Sequence, residues 1–144
     1  MKYLNFNIIL IALIASLHVG CNKNNLDSIE HLEGYWEIES VILSNGNQKD
    51  YTFSDTIDYI FVNSDSLYGF RKKLKPNFNG TYETSNHAEN FVIKIKNDSL
   101  HMHYQTPFDQ WKESVLQLNN NKLQIINQNK IIYNYKRFQP IDLN

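Results

Sequence analysis

This 144-residue chain has little to cross-link or stiffen it: one cysteine, three prolines and five glycines. A single cysteine excludes an internal disulfide, so a domain built from this sequence must rely on its packed core. So few prolines and glycines exclude collagen-like and low-complexity architectures. An excess of either charge is also lacking. Fourteen Lys and Arg stand against fifteen Asp and Glu, a net charge of −1, so nothing steers the chain toward nucleic acid. There is no Gly-x-Ser-x-Gly elbow, no His-Glu-x-x-His and no Gly-rich phosphate loop. These are the short signatures of hydrolase, zinc-peptidase and nucleotide chemistry. A non-enzyme without cofactor or metal is therefore expected. What the chain does have is rings: nine Tyr, eight Phe and two Trp. Together with its β-branched residues they favour strands over helices.

The longest apolar run, "IILIALIASL" at residues 8–17, falls short of the ~20 residues that a membrane-spanning helix needs. With Lys2 before it and a small residue after it, residues 1–20 read as an export signal. "HVGC" follows. Gly20 directly before Cys21 resembles the lipobox of bacterial lipoproteins, although His18 stands where that family prefers Leu. The resemblance implies cleavage before Cys21 and acylation of Cys21 with palmitate-type chains. Two or more chains hold a protein to a bilayer stably where one chain does not. The expected location is the bacterial cell envelope, lipid-anchored at the outer membrane. Residues 21–32 then serve as a tether, with a short helical turn where Leu26, Ile29 and Leu32 recur at helical spacing.

From Gly34 onward the apolar period is two. "GYWEIESVIL" places Trp36, Ile38, Ser40 and Ile42 on one face, with a turn at Asn45-Gly46 after it. "TIDYIFVN" is a second strand. "LYGFRKKL" puts Tyr68, Phe70 and Leu74 in phase, and "FNGTYET" resumes after Pro76. "NFVIKIKNDSLHMHYQ" reads as a hairpin turning at Asn97-Asp98, which sets Phe91 opposite Tyr104, Ile93 opposite Met102 and Ile95 opposite Leu100. A second hairpin turning at Asn120-Asn121 sets Leu118 opposite Leu123 and Leu116 opposite Ile125. A three-residue loop at 127–129 then sets Ile125 opposite Ile131, with Asn129 left-handed. Pro107 interrupts the ladder across residues 105–111. The expectation is an all-β, single antiparallel up-and-down β-barrel of about eight strands over residues 33–139, with no second domain.

Three stretches then resemble lipocalins. Gly34-x-Trp36 on the first strand looks like the lipocalin Gly-x-Trp motif. "NGTYE" at 79–83 and "YNYKRF" at 133–138 look like elements of lipocalin-like lipoproteins. The resemblance implies a barrel closed at one end by Gly34, Trp36 and Arg137, with the arginine packed across the indole. The fold carries over from the resemblance better than ligand transport does; the expectation of a binding module rests on the aromatic inner face.

The expected site is the inner face. Tyr59, Phe61, Tyr68, Phe70, Tyr82, Phe91, Tyr104 and Tyr133 are its candidate lining, with Trp36, Phe78 and Tyr135 in the same phase. An eight-stranded barrel is just wide enough to be filled by side chains or to hold one small ligand. The first expectation is a small, largely apolar ligand. The second is a filled barrel that serves as a structural or protein-interaction component of the envelope, contacting its partner through Phe108 and Trp111. The partners expected are the membrane through Cys21 and either that ligand or an envelope protein; the barrel itself is expected to be a monomer. His101 and His103 share a strand face but are expected to be solvated, as is "RKKLK" at 71–75.

Overall fold

The computed structural model describes residues 29–139. The export signal, Cys21 and Leu26 lie outside the described residues. A 3-10 turn, Glu30–Leu32, leads into ten strands: β1 Gly34–Ile42, β2 Gln48–Asp50, β3 Ile57–Asn63, β4 Tyr68–Pro76, β5 Tyr82–Thr84, β6 Glu89–Lys96, β7 Ser99–Gln105, β8 Gln110–Leu118, β9 Lys122–Asn127 and β10 Ile132–Arg137. All pairings are antiparallel. Eight strands follow one another around a ring, β1-β3-β4-β6-β7-β8-β9-β10, and β10 pairs back onto β1. Closure satisfies the edges that an open sheet would expose. β2 and β5 are short additions alongside β1 and β4.

Local chemistry sets the hairpins. Asn97 and Asp98 both have positive φ, 50° and 56°, the two-residue geometry that matches strand twist. The β6–β7 register pairs Phe91 with Tyr104, Ile93 with Met102 and Ile95 with Leu100. The β9–β10 hairpin is longer than the three-residue loop expected. Asn127 Oδ1 accepts hydrogen bonds from the Asn129 and Ile131 amides, at 2.9 and 3.0 Å. Lys130, not Asn129, takes positive φ. The register moves by two residues, pairing Ile125 with Tyr133 and Leu123 with Tyr135. An even shift keeps each side chain on its face.

Two bulges break the alternation read from sequence. Glu39 is an extra residue in β1, so Val41 pairs with Tyr133 and Ile42 with Ile132. Ile42 therefore leaves the Trp36 face. In β8 the register shifts between Val115 and Gln117, and Leu116 turns out to solvent. Only residues 106–109 are irregular between β7 and β8. There Thr106 Oγ1 accepts from the Asp109 amide at 3.0 Å.

The core fills the barrel from its floor up to the Tyr104 and Tyr135 rings. Trp36, Ile60, Val62, Phe91, Ile93 and Met102 belong to it, together with Leu100, Tyr104, Leu123, Ile125 and Tyr135. Ile29 and Leu32 plug it from below. The faces of β3 and β4 are the reverse of the sequence expectation. Ile60 and Val62 point inward from β3, and their partners on β4 are Arg71 and Gly69. Tyr59, Phe61, Tyr68 and Phe70 are on the outer wall. The physical reason is legible at Gly69: a side chain there would run into the Phe91 ring and the Phe61 carbonyl. The small residue thus has to face the crowded interior, and the rings beside it must face out. Tyr82 also lies outside, stacked on Tyr35 at 5.3 Å. Since β4 and β3 separate β5 from β1, the β4–β5 hairpin folds across the outer wall to make that contact. Ile57 and Leu74, which share that outer phase, are buried. Phe78, also expected inside, is 91% exposed at the hairpin tip.

Candidate functional site

The floor of the barrel is built around Trp36, which is fully buried. Its indole N–H donates to the Leu32 carbonyl at 2.9 Å. The Arg137 guanidinium lies 3.8 Å from the ring centre, a favourable contact for a cation on an indole face. Its donors go to three backbone carbonyls: Glu33 and His31 at 2.7 Å each, and Asn120 at 2.8 Å. One side chain thus ties the entry turn, the β8–β9 turn and β10 together. Gly34 makes room for it. Its φ is +127°, and a Cβ there would collide with Arg137 Nη1. Gly34, Trp36 and Arg137 form one structural unit.

The upper barrel is different. Arg71 projects inward from β4, its side chain 13% exposed. Its Nε donates to Glu89 at 3.0 Å and its Nη1 to Glu113 at 3.1 Å. The guanidinium also lies 4.9 Å from the Tyr104 ring centre. Burial alone would lower the guanidinium pKa, but Tyr104, Glu113, Tyr135 and Asp58 together raise it well above its ordinary value. Glu113 is almost wholly buried, whereas Glu89 is 46% exposed. Nearby, Asp58 is buried with Lys73 Nζ 2.6 Å from its Oδ1. That contact is ionic; the oxygen has no well-directed hydrogen bond. Burial pushes the Tyr104 and Tyr135 hydroxyls well above the ordinary phenol range, reinforced by Glu113 at Tyr104 and by Asp58 at Tyr135. Both remain protonated donors at neutral pH.

Trp111 completes this layer. It is not a loop residue. It sits on β8 opposite Tyr104 and stacks on that ring at 4.7 Å, with 4° between the planes. Phe108 remains at the loop tip, 96% exposed. Of the eight rings expected to line the lumen, Phe91, Tyr104 and Tyr133 point inward, while Tyr59, Phe61, Tyr68, Phe70 and Tyr82 do not. A depression of about 610 Å³ near Trp111 is lined largely by outward side chains, among them Tyr68, Asn90, Val92, His103 and Lys112. It lies along the wall.

These outward positions include His101 and His103, opposite Lys94 and Val92. His101 Nδ1 is 2.7 Å from Ser114 Oγ. Desolvation and neighbouring lysines lower both imidazole pKa values. Among the described residues no three His, Cys, Asp or Glu side chains come together to hold a metal ion. No described helix is long and apolar enough to cross a membrane. The "RKKLK" run is split: Arg71 and Lys73 go to the acids of the interior and mouth, and Lys72 to the outer wall.

A family model described as a lipocalin-like domain matches residues 32–125. The chain belongs to the lipocalin-like domain family. Among solved structures, the lipocalin-like barrel is similar to a lipocalin-like protein from Bacteroides uniformis ATCC 8492. The identity is 11% and the TM-score 0.49, over 75% of this chain and 99% of that one. No curated protein matches.

The residues that sequence reading missed are Arg71, Glu89, Glu113, Asp58 and Lys73. A signal existed. In "WKESV", Glu113 shares its phase with Trp111 and Val115. A carboxylate inside an apolar phase asks for a buried cation, and Arg71 shares the phase of Gly69.

Proposed function

We propose that this lipocalin-like protein is a lipid-anchored, non-catalytic binding module of the bacterial cell envelope, held to the outer membrane through acylated Cys21. Its ligand is a small molecule seated at the barrel mouth: a largely apolar body against Trp111 and Tyr133, with an acidic group directed at Arg71. The observation that carries this reading is the unequal pair of carboxylates on Arg71. Glu113 is locked in, but Glu89 is half in water, so an incoming carboxylate can take its place without stranding a buried charge. The packed floor argues against a ligand deep in the barrel. The non-catalytic reading is supported by the clamp itself, since its ionised groups are engaged with one another. Calorimetric titration with decanoate, indole-3-acetate and their methyl esters tests the proposal. The acids should bind, the esters bind far more weakly, and Arg71→Met abolish the difference. No binding of any probe, or equal binding of acids and esters, would overturn it.

The filled floor and the exposed Phe108 favour a second reading, in which the barrel is an interaction component of the envelope. Capture of a specific envelope protein that Phe108→Ala loses, with no small-molecule binding, would select that reading.

A further inference from the structure

The barrel has two unlike flanks. Around β7 to β10 the outer wall carries no chain of rings and is mostly polar, with His101, His103, Lys112, Ser114, Gln124 and Asn134 facing out beside Ile126, Ile132 and the exposed Leu116, and with Phe108 at the tip of the β7–β8 loop. Around β1, β3, β4 and β5 it carries a continuous chain of rings. Tyr82 stacks on Tyr35 at 5.3 Å, Tyr35 meets Tyr59 at 4.9 Å, Tyr59 meets Phe70 at 6.0 Å and Phe70 meets Phe61 at 5.2 Å. Two loops bordering this flank each present a bare phenylalanine: Phe53 is 77% exposed and Phe78 is 91% exposed. Lys72, opposite Tyr59, adds a cation within the ring chain.

The chain enters the structure at Ile29, under the floor and next to Val62 and Ser64 at the end of β3, six residues before Tyr35. From Cys21 to Ile29 the sequence can reach at most about 29 Å, taking ~3.6 Å per residue. A barrel acylated at Cys21 is therefore confined near its own bilayer, where a short tether gives an effective concentration in the millimolar range. Under that confinement a modest apolar surface suffices. Tyr and Phe with an occasional Lys is the composition that suits the headgroup region, where a ring can sit in the apolar boundary and a hydroxyl or ammonium in water.

We infer that the barrel lies on its aromatic flank against the membrane that anchors it, inserting Phe53 and Phe78 at the lipid interface and leaving the polar β7–β10 flank in water. The inference rests on the anchoring proposed above. In the acylated protein Cys21 is blocked, so one introduced cysteine can carry a unique nitroxide. Full-length acylated protein, labelled singly at Phe53→Cys, Phe78→Cys, His103→Cys or Lys112→Cys, is reconstituted into 3:1 phosphatidylethanolamine–phosphatidylglycerol vesicles. Labelling singly keeps the other phenylalanine in place. Collisions with oxygen and with a nickel chelate are then compared. The oxygen-to-nickel ratio should be several-fold higher at positions 53 and 78 than at 103 and 112. Equal nickel access at all four positions in protein that sediments with the vesicles would overturn the docking while leaving the anchor intact. Protein that stays in the supernatant would overturn the anchor, and the docking with it.

Discussion

Two arginines lie over aromatic rings at opposite ends of one barrel, and they do different things. Arg137 sits 3.8 Å from the Trp36 ring and gives its donors to backbone carbonyls. Arg71 sits 4.9 Å from the Tyr104 ring and gives its donors to carboxylates. Carbonyls of the main chain cannot titrate or swing away, so the lower arginine fastens chain segments together. Carboxylates can be protonated, displaced or outcompeted, so the upper arginine is a clamp that chemistry can open. The same side chain over a ring builds a floor in one place and a responsive mouth in the other.

The comparison breaks most severely at the floor. Trp36→Ala should remove about 3–5 kcal/mol, the usual range for truncating a fully buried large aromatic. It should also free Arg137 and the entry turn. Urea unfolding should show the loss as a lower midpoint. A loss below about 1 kcal/mol would mean that the floor does not hold the barrel together.

At the mouth, Glu113→Gln should cost about 3–5 kcal/mol, because it leaves Arg71 charged and short of its buried partner. Adding Arg71→Met to that variant should restore most of the loss, since Glu89 is left facing water. A floor variant has no such second-site rescue. If the double variant is no better than Glu113→Gln, the clamp is not an isolated ionic unit.

Gly34→Ala joins the two kinds of effect at smaller size. Alanine at φ +127° is strained, and its Cβ displaces Arg137; about 1–3 kcal/mol is expected for a non-glycine residue in such a region. The glycine was legible only through the Gly-x-Trp resemblance; the structure supplies the reason, since backbone freedom and space both exclude a side chain there. The barrel was legible from the residues themselves. Hairpins such as Asn97-Asp98 fix register locally, and the alternation in β6 and β7 agrees with them. Legibility failed at β3 and β4. "IDYIFV" is apolar on both faces, so periodicity could not choose between them. The rings of its outer face are partly covered by the β4–β5 hairpin, which no local pattern announces. That inversion also hid the clamp, because assigning Tyr68 and Phe70 inward sends Arg71 outward. Glu89 and Glu113 lie 18 and 42 residues from Arg71 in sequence, too far for spacing to connect them. Trp36 and Arg137 are farther apart still, and only the resemblance to a family joined them.

The smallest effect separates the two ends by pH. In the mouth, burial raises the hydroxyl pKa of Tyr104 and of Tyr135 well above the ordinary value near 10. A group whose folded pKa is raised favours the fold fully below its unfolded pKa. The contribution is lost as pH climbs from about 10 toward the folded value, because the unfolded chain then sheds a proton that the folded chain retains. Stability should therefore be flat from neutral pH to about 9 and fall above 10. Tyr104→Phe removes one of the raised hydroxyls, beside Tyr135 and Tyr133. It should lower stability modestly at pH 7 and shallow the alkaline decline, whereas at the floor burial lowers the Arg137 pKa, a shift of the opposite sign that cannot add to the decline. Urea midpoints for the wild type and Tyr104→Phe between pH 8 and 11 measure this directly. Parallel slopes for the two proteins would show that the alkaline loss does not arise at Tyr104, and the contrast between a fixed floor and a titrating mouth would lose the buried hydroxyl that touches the clamp.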